Sequence, residues 1–435
     1  MSTRSLTGVA VGLAAALALT GCGTTGTSGG GNSTVKLNMV ESLTNPARTT
    51  LLKTQIAEFE KANPSISVNL ISPPTDSADQ KIRTMLQSKT GIDVLEVRDF
   101  TVGEFSTNGW LYDMTKDMNS WSGWVDITPA SKASVTQKGK IYHVPYGEYA
   151  TTLFYRTDLV SKAGFSGPPQ SWADLIKQSE AINDPAKHVY GYSLRGGDNS
   201  GVEVTQMLEA YNADQIDLSN GFLLKNGKTI FSTPQSVQAM KDRLELFKKG
   251  SPPSSIAWGY PEMVQGFSSG LTALLLQTQE VIATIGQSTT IKQNQWSTAP
   301  MLVGPSGIAP EVVSPAGWGV AQSSKNKAAG VKLVEFLTSG SRIIQFDKDN
   351  GMVPSVKSAA KDPFFKTGKW ASYIAMNDQP AKFPVITEPR NVPWWAEWKT
   401  KTNTDSQKFL LGQITPTALM ANWDSYWSTK FKAGK

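Results

Sequence analysis

Three arginines sit beside acidic or small polar residues in stretches that read as loops: Arg98 with Asp99, Arg195 with Asp198, and Arg390 with Asn391. A guanidinium steered by a neighbouring carboxylate offers a planar two-donor edge, which suits paired ligand hydroxyls or an oxyanion. The same residues as plain surface ion pairs would contribute little. Flat aromatics accompany them. Trp258, Trp318, Trp394, Trp395 and Tyr146 lie in or beside loops, not in the middle of an apolar helical stripe, whereas Trp370 and Trp398 read as packing. A sugar ring has an apolar C–H face and a belt of hydroxyls, so aromatic plates beside bidentate charged groups are carbohydrate-binding chemistry.

Other chemistries find little support. With one Cys and two His in 435 residues, no Cys/His zinc site, disulfide framework or iron–sulfur site can be assembled. His143 lies in an apolar stretch and His188 in a loop, neither beside a Ser or Asp that would complete a triad. A glycosidase needs two carboxylates roughly 5 to 10 Å apart across a cleft, and Glu148 with Asp99 or Glu280 could be arranged so. Asp347-Lys348-Asp349-Asn350-Gly351 begins like a calcium loop but has Gly at the third ligand position and Ser358 where the closing Glu belongs. No metal ligand or cofactor is therefore assigned. The formal charge of +6, of which Arg4 supplies the only charge before Cys22, leaves about +5 spread along the rest. It gathers in no Lys/Arg run, so nucleic acid is not an expected partner.

These residues must be positioned by an alternating series of elements. Val35–Glu41 reads as a strand, Pro46 opens a helix with Leu52, Ile56 and Phe59 on one face, and Asn63-Pro64 stops it. Ile66, Val68 and Leu70 alternate as a second strand. Asp76 or Ser77 caps a helix carrying Ile82, Met85 and Leu86, and Ile92 to Val97 is a third strand. That order predicts a parallel α/β sheet covered on both faces. The pattern resumes after Lys140 with extended segments at 141–144 and 149–155, a capping box at Ser171-Trp172-Ala173-Asp174, and helices at 202–210, 234–249, 261–269 and 327–338. Two α/β domains are the economical reading. Ligands of such sheets sit beyond the carboxyl ends of the strands. That places Glu41, Asn45, Asp76, Arg98 and Asp99 among the candidate ligand-binding residues.

The first 22 residues form a leader: a positive start with Arg4, an uncharged Leu/Ala/Val run, and Leu19-Thr20-Gly21-Cys22. This is secretory layout, too short for a spanning helix. The last four residues resemble a bacterial lipobox, which makes Cys22 the expected site of lipidation and the membrane the expected anchor. Residues 23–34, rich in Gly, Ser and Thr, read as a flexible tether.

Longer phrases carry a resemblance. Ile141-Tyr142-His143-Val144-Pro145-Tyr146-Gly147-Glu148 followed by Leu153–Leu159, Gly266–Leu274, Pro315–Ala321 with Asn326–Ala329 and Phe336–Ser339, and Gly351–Ser355 occur in the order found in bacterial extracellular solute-binding proteins. That group includes the maltose-binding protein. The chain thus resembles the substrate-capturing lipoprotein of an ABC importer. The resemblance implies a two-lobed periplasmic-binding-protein-like α/β fold with a ligand cleft and three hinge crossings. One lobe would comprise residues 35–146 and 315–354, the other 147–314 and 355–435. It also implies no catalytic residue, which the residues above do not settle by themselves, and it raises Trp258 and Trp318 as sugar-stacking candidates. Family members commonly carry a Trp after the strand that here reads Leu276-Gln277-Thr278-Gln279-Glu280, where this chain offers Gln279; Arg156 replaces the usual Asn before Asp158-Leu159. The implied function is capture of a mono- or oligosaccharide or polyol by a monomeric receptor on the extracytoplasmic membrane face, for delivery to permease subunits. An anionic solute such as a glycerophosphodiester or a uronic-acid sugar is the alternative, and a lipid-anchored glycoside hydrolase a distant one.

Overall fold

The computed structural model describes residues 34–44, 46–390, 392 and 394–433. The leader, Cys22 and the tether up to Ser33 lie outside the described residues, as do Asn45 and Asn391. In chain order the strands are β1 (Val35–Val40), β2 (Ile66–Ile71), β3 (Val94–Arg98), β4 (Thr136–Gln137), β5 (Lys140–Ile141), β6 (Val144–Tyr149) and β7 (Thr151–Arg156). There follow β8 (Tyr190–Tyr192), β9 (Thr272–Thr278), β10 (Trp296–Ala299), β11 (Glu311–Val312), β12 (Ser314–Val320) and β13 (Val385–Ile386).

One sheet has the order β2-β1-β3-β12-β6 and a second the order β10-β7-β9-β8. β1 pairs in parallel with β2 and β3, and β8 in parallel with β9. The other pairings within these two sheets are antiparallel, so the expected parallel sheet is corrected to two mixed ones. The cause is connectivity. Helices Pro46–Ala62 and Thr75–Ser88 link the first three strands, and a crossover helix fixes parallel direction. β12 reaches the first sheet only after the chain has passed through the second, so no crossover sets its direction.

β1 is buried on both faces. Leu37 and Met39 pack with Leu52, Ile56 and Phe59 of the first helix, while Val40 packs with Ile82 and Leu86 of the second. The helix expected to be capped by Asp76 or Ser77 instead starts at Thr75, behind Pro74 with no side-chain cap. The Asp174 N–H donates to Ser171 Oγ at 3.1 Å and the Ser171 N–H to Asp174 Oδ2 at 3.2 Å, closing the capping box.

Only Ala150 separates β6 of the first sheet from β7 of the second. Gln279 clamps this crossing: it accepts from the Ala150 N–H at 3.0 Å and donates to the Glu148 carbonyl. The Glu148 N–H also donates to the Val353 carbonyl at 2.9 Å. Where β12 meets β6 the register slips between Ala316 and Gly317, and a Cβ at Gly317 would lie 2.2 Å from the Val144 carbonyl oxygen. Only glycine permits that approach.

Three carboxyls meet at this crossing. Glu148 accepts from Ser131 Oγ at 2.5 Å; Asp347 is 0% exposed, and neither of its oxygens has a hydrogen-bond partner among the described residues. Burial, reinforced by Glu148, pushes the Glu311 carboxyl up to about 8 and Asp347 well above its ordinary value. A carboxyl whose pKa rises on folding contributes stability that is present below its unfolded value, here 4.5 for Glu311, and is lost as pH rises through the folded value. The melting temperature should therefore fall between about pH 5 and pH 8, and Glu311→Gln should flatten that slope. An unchanged slope in the variant, measured by calorimetry across that range, would contradict the assignment.

Candidate functional site

The floor of the first sheet's cleft edge is built around Arg48. Its guanidinium reaches Glu41 Oε2 at 2.7 Å, Glu96 Oε1 at 2.8 Å and the Tyr146 hydroxyl at 2.9 Å. The Tyr146 hydroxyl donates to Glu96, whose other oxygen accepts the N–H groups of Ser42 at 2.6 Å and Leu43 at 3.1 Å. Burial alone would raise the Glu96 carboxyl; Arg48, the Tyr146 hydroxyl and the Ser42 N–H outweigh it and hold Glu96 below its ordinary value. Arg48 also faces the rings of Tyr146 and Trp318 at 5.4 and 5.8 Å, and those two rings lie 5.3 Å apart.

Seven of the expected ligand-binding residues lie in contacts with the protein itself or within a helix. Glu41, Tyr146 and Gln279 have their polar atoms engaged by protein groups. Trp318, only 2% exposed, is an inward-facing residue of β12 rather than a plate presented to solute. Trp394 joins the aromatic cluster of the C-terminal helices, with Trp427 at 6.4 Å and Lys430 at 5.6 Å from its ring. Trp258 is half-buried and lies against the helix Tyr260–Ser268, where a Cβ at Gly266 would come within 2.7 Å of its ring. Asp76 falls in the first turn of the helix Thr75–Ser88.

The three arginines have partners different from those adjacency implied. Arg98, at the carboxyl end of β3, pairs with Asp79 at 2.5 Å and covers the Phe100 ring at 4.3 Å. Asp99 instead binds Arg390 at 2.8 Å, and Arg390 also holds Glu388 at 2.5 Å and Ser314 Oγ at 2.9 Å. Asp99 follows a strand of the first sheet, and Arg390 belongs to the segment leading into the helix Trp395–Leu410. Arg195, just past β8, donates through Nε to the Asp198 carbonyl at 2.7 Å. The Asp198 carboxylate accepts from Asn403 Nδ2 at 3.0 Å. Gly197 holds this loop close: a Cβ there would lie 2.4 Å from the Ala257 carbonyl oxygen.

Tyr260 and Lys399 carried no assignment in the sequence, and Glu280 was considered only as a hydrolytic carboxylate. Glu280 accepts from the Tyr260 hydroxyl at 3.2 Å while its second oxygen is buried without a partner among the described residues; burial raises its carboxyl, with Thr278, Tyr260 and Arg195 opposing. Tyr260 lies under Arg195 at 6.0 Å. Lys399 reaches Phe100 from the helix Trp395–Leu410, with its ammonium 5.6 Å from the ring. A lone acid inside the apolar run Val94-Leu95-Glu96-Val97 was the available signal for the Arg48 network, because such an acid needs a buried cation. Glu148, considered for acid–base work, stays inside the hinge with Ser131. Burial lowers His143 to about 4, with Asp99 opposing, so its ring is neutral.

Two sheets that direct polar loop ends toward one crevice define a two-lobed ligand-binding protein. The family model of bacterial extracellular solute-binding proteins matches residues 44–339, and the chain belongs to that family. A Brucella abortus (strain 2308) protein named as a binding protein is 24% identical over 375 residues, spanning 83% of this chain and 85% of its own. Maltose-bound MalE3 of T. maritima aligns at TM-score 0.79 and 21% identity, over 91% of this chain and 99% of that one. A solute-binding protein of Agrobacterium vitis S4 with bound D-mannitol aligns at 0.73 and 19%, over 92% and 99%.

Arg48→Met should destabilise the protein by about 3 to 5 kcal/mol, because it leaves the carboxylates of Glu41 and Glu96 buried without their cation. Urea unfolding at pH 7 measures this, and a loss within about 0.5 kcal/mol, the range of ordinary surface substitutions, would remove Arg48 from its central place.

Proposed function

We propose that this protein is the solute receptor of an ABC importer, anchored at the extracytoplasmic membrane face through Cys22, that captures a carbohydrate by closing its lobes and delivers it to the permease. The lobes are residues 35–146 with 315–354, and 147–314 with 355–435. The carrying observation is a pair of contacts across the cleft, Asp99 with Arg390 and Phe100 with Lys399, flanked by Arg98 on one side and by Arg195 over Tyr260 on the other. Their polar and aromatic groups match ring hydroxyls and C–H faces. The maltose and D-mannitol held by the two aligned proteins support a sugar or polyol.

Closure follows from differential affinity. A solute touching both lobes binds the closed state better and shifts the population by that difference alone. We read the protein as a binder without turnover: Glu148, a member of both carboxylate pairs weighed for hydrolysis, is hydrogen-bonded to Ser131 at the hinge crossing, which argues against the hydrolase alternative.

Binding of the closed form alone stabilises by RT ln(1 + [L]/Kd), about 2.7 kcal/mol at a hundred times Kd. In a melting titration of the purified protein against mono- and oligosaccharides, polyols and their carboxylate and phosphate derivatives, at least one should raise the melting temperature in a saturable way and emerge chemically unchanged. No shift with any of them, or steady release of hydrolysed product, would contradict this function.

A further inference from the structure

The arginines of the described chain follow one rule with one exception. Arg48, Arg83, Arg98, Arg156, Arg243, Arg342 and Arg390 each have a carboxylate within salt-bridge distance. Arg195 has none among the described residues: its Nε is engaged by the Asp198 carbonyl, which leaves the outer edge of the guanidinium without a protein acceptor. It is not a solvated surface residue. It is half-buried and stands over the Tyr260 ring just past the carboxyl end of β8. Burial pulls its pKa down, against Asp198, Glu203, Tyr260 and Glu280.

A second cation shares this condition. Lys399 makes no ion pair among the described residues, and its ammonium faces the Phe100 ring of the opposite lobe at 5.6 Å. It sits one turn before Asn403 on the same helix, and Asn403 holds the Asp198 carboxylate whose backbone carbonyl holds Arg195. Arg195 and Lys399 are thus tied to one short stretch of structure. Burial lowers the Lys399 ammonium, Arg98 and Arg195 pull the same way, and Asp198 and Asp79 oppose. Arg98 faces the pair from the first lobe with its charge matched by Asp79. The carboxylates of Asp198 and Asp79 temper the repulsion among these cations without ion-pairing Arg195 or Lys399, so both keep donors for a ligand anion. A planar guanidinium edge plus a point-charge ammonium is a donor set for an oxyanion.

We propose that the solute is acidic: a sugar or polyol carrying one carboxylate or phosphate, with its oxyanion between Arg195 and Lys399 and facing Arg98. This rests on the carbohydrate reading of the cleft and narrows it. Glu280, with one oxygen held by the Tyr260 hydroxyl, is placed to take the hydroxyl-bearing part of the same molecule.

The test is calorimetric titration of the purified protein with matched sets: galactose, galacturonate and galactose 1-phosphate; mannitol, mannonate and mannitol 1-phosphate. The acidic member of at least one set should bind at least about tenfold more tightly than its neutral parent, and the advantage should shrink with added salt, because screening weakens charge–charge attraction. The carboxylate and phosphate arms tell the two sources of the oxyanion apart. Lys399→Gln and Arg195→Gln, each checked for native melting behaviour, should weaken the acidic member about tenfold or more and the neutral parent far less. If Arg195→Gln does not fold, Lys399→Gln and the salt dependence of the unaltered protein still decide. A neutral parent that binds as tightly as both acidic derivatives overturns this proposal and leaves the carbohydrate function standing. Failure of every member, neutral and acidic, overturns both.

Discussion

The cleft depends on one buried cation. Arg48 is 1% exposed and joins the end of β1 through Glu41, β3 through Glu96 and β6 through Tyr146. An isolated guanidinium at that depth would be strongly unfavourable, so the network is stable only as a whole. Its geometric consequence is that three strand ends are held in one arrangement. Ser42 and Leu43 are drawn in by Glu96, and the strand that carries Glu96 ends two residues later with Arg98, which pairs with Asp79 and covers Phe100. Rigid strand ends are what allow loop residues to be aimed.

Paired and unpaired charges then divide the molecule into framework and site. Arg48 and Arg243 are matched by buried carboxylates, and Arg390 ties Asp99, Glu388 and Ser314 near the crossing strands. At the hinge the charge problem is solved differently. Glu311 and Asp347 are raised by burial toward their neutral forms, so no repulsion has to be carried where the two sheets connect. Arg195 and Lys399 have neither solution. Neither forms an ion pair among the described residues, which is the basis for proposing them as the groups that receive a ligand anion.

Much of the fold was legible before any coordinates. Regular apolar spacing located the helix Pro46–Ala62 and the strands β1 and β2, because burial on a helix face or both faces of a sheet writes a period into the chain. The order of the longer phrases marked the solute-binding family. Partnerships were less legible. Arg98 and Asp99 are adjacent, yet their side chains serve different partners, Asp79 and Arg390, because successive residues at a strand end point in different directions. Trp318, between Gly317 and Gly319, read as a residue in or beside a loop that could stack on a sugar. The glycines are there because the neighbouring backbone is close, with a Cβ at Gly319 falling 2.7 Å from the Tyr142 carbonyl oxygen, and the ring is core. Lys399 left no trace in the sequence, since a lysine on a helix is ordinarily a solvated one.

The central claim is that solute sits between the lobes and draws them together. Small-angle X-ray scattering of the purified protein, with and without a saturating solute identified by calorimetry, tests it most directly. The account predicts a smaller radius of gyration and a shorter maximum dimension in the bound state, since closure is the state with the higher affinity. Identical scattering curves at proven saturation would contradict it.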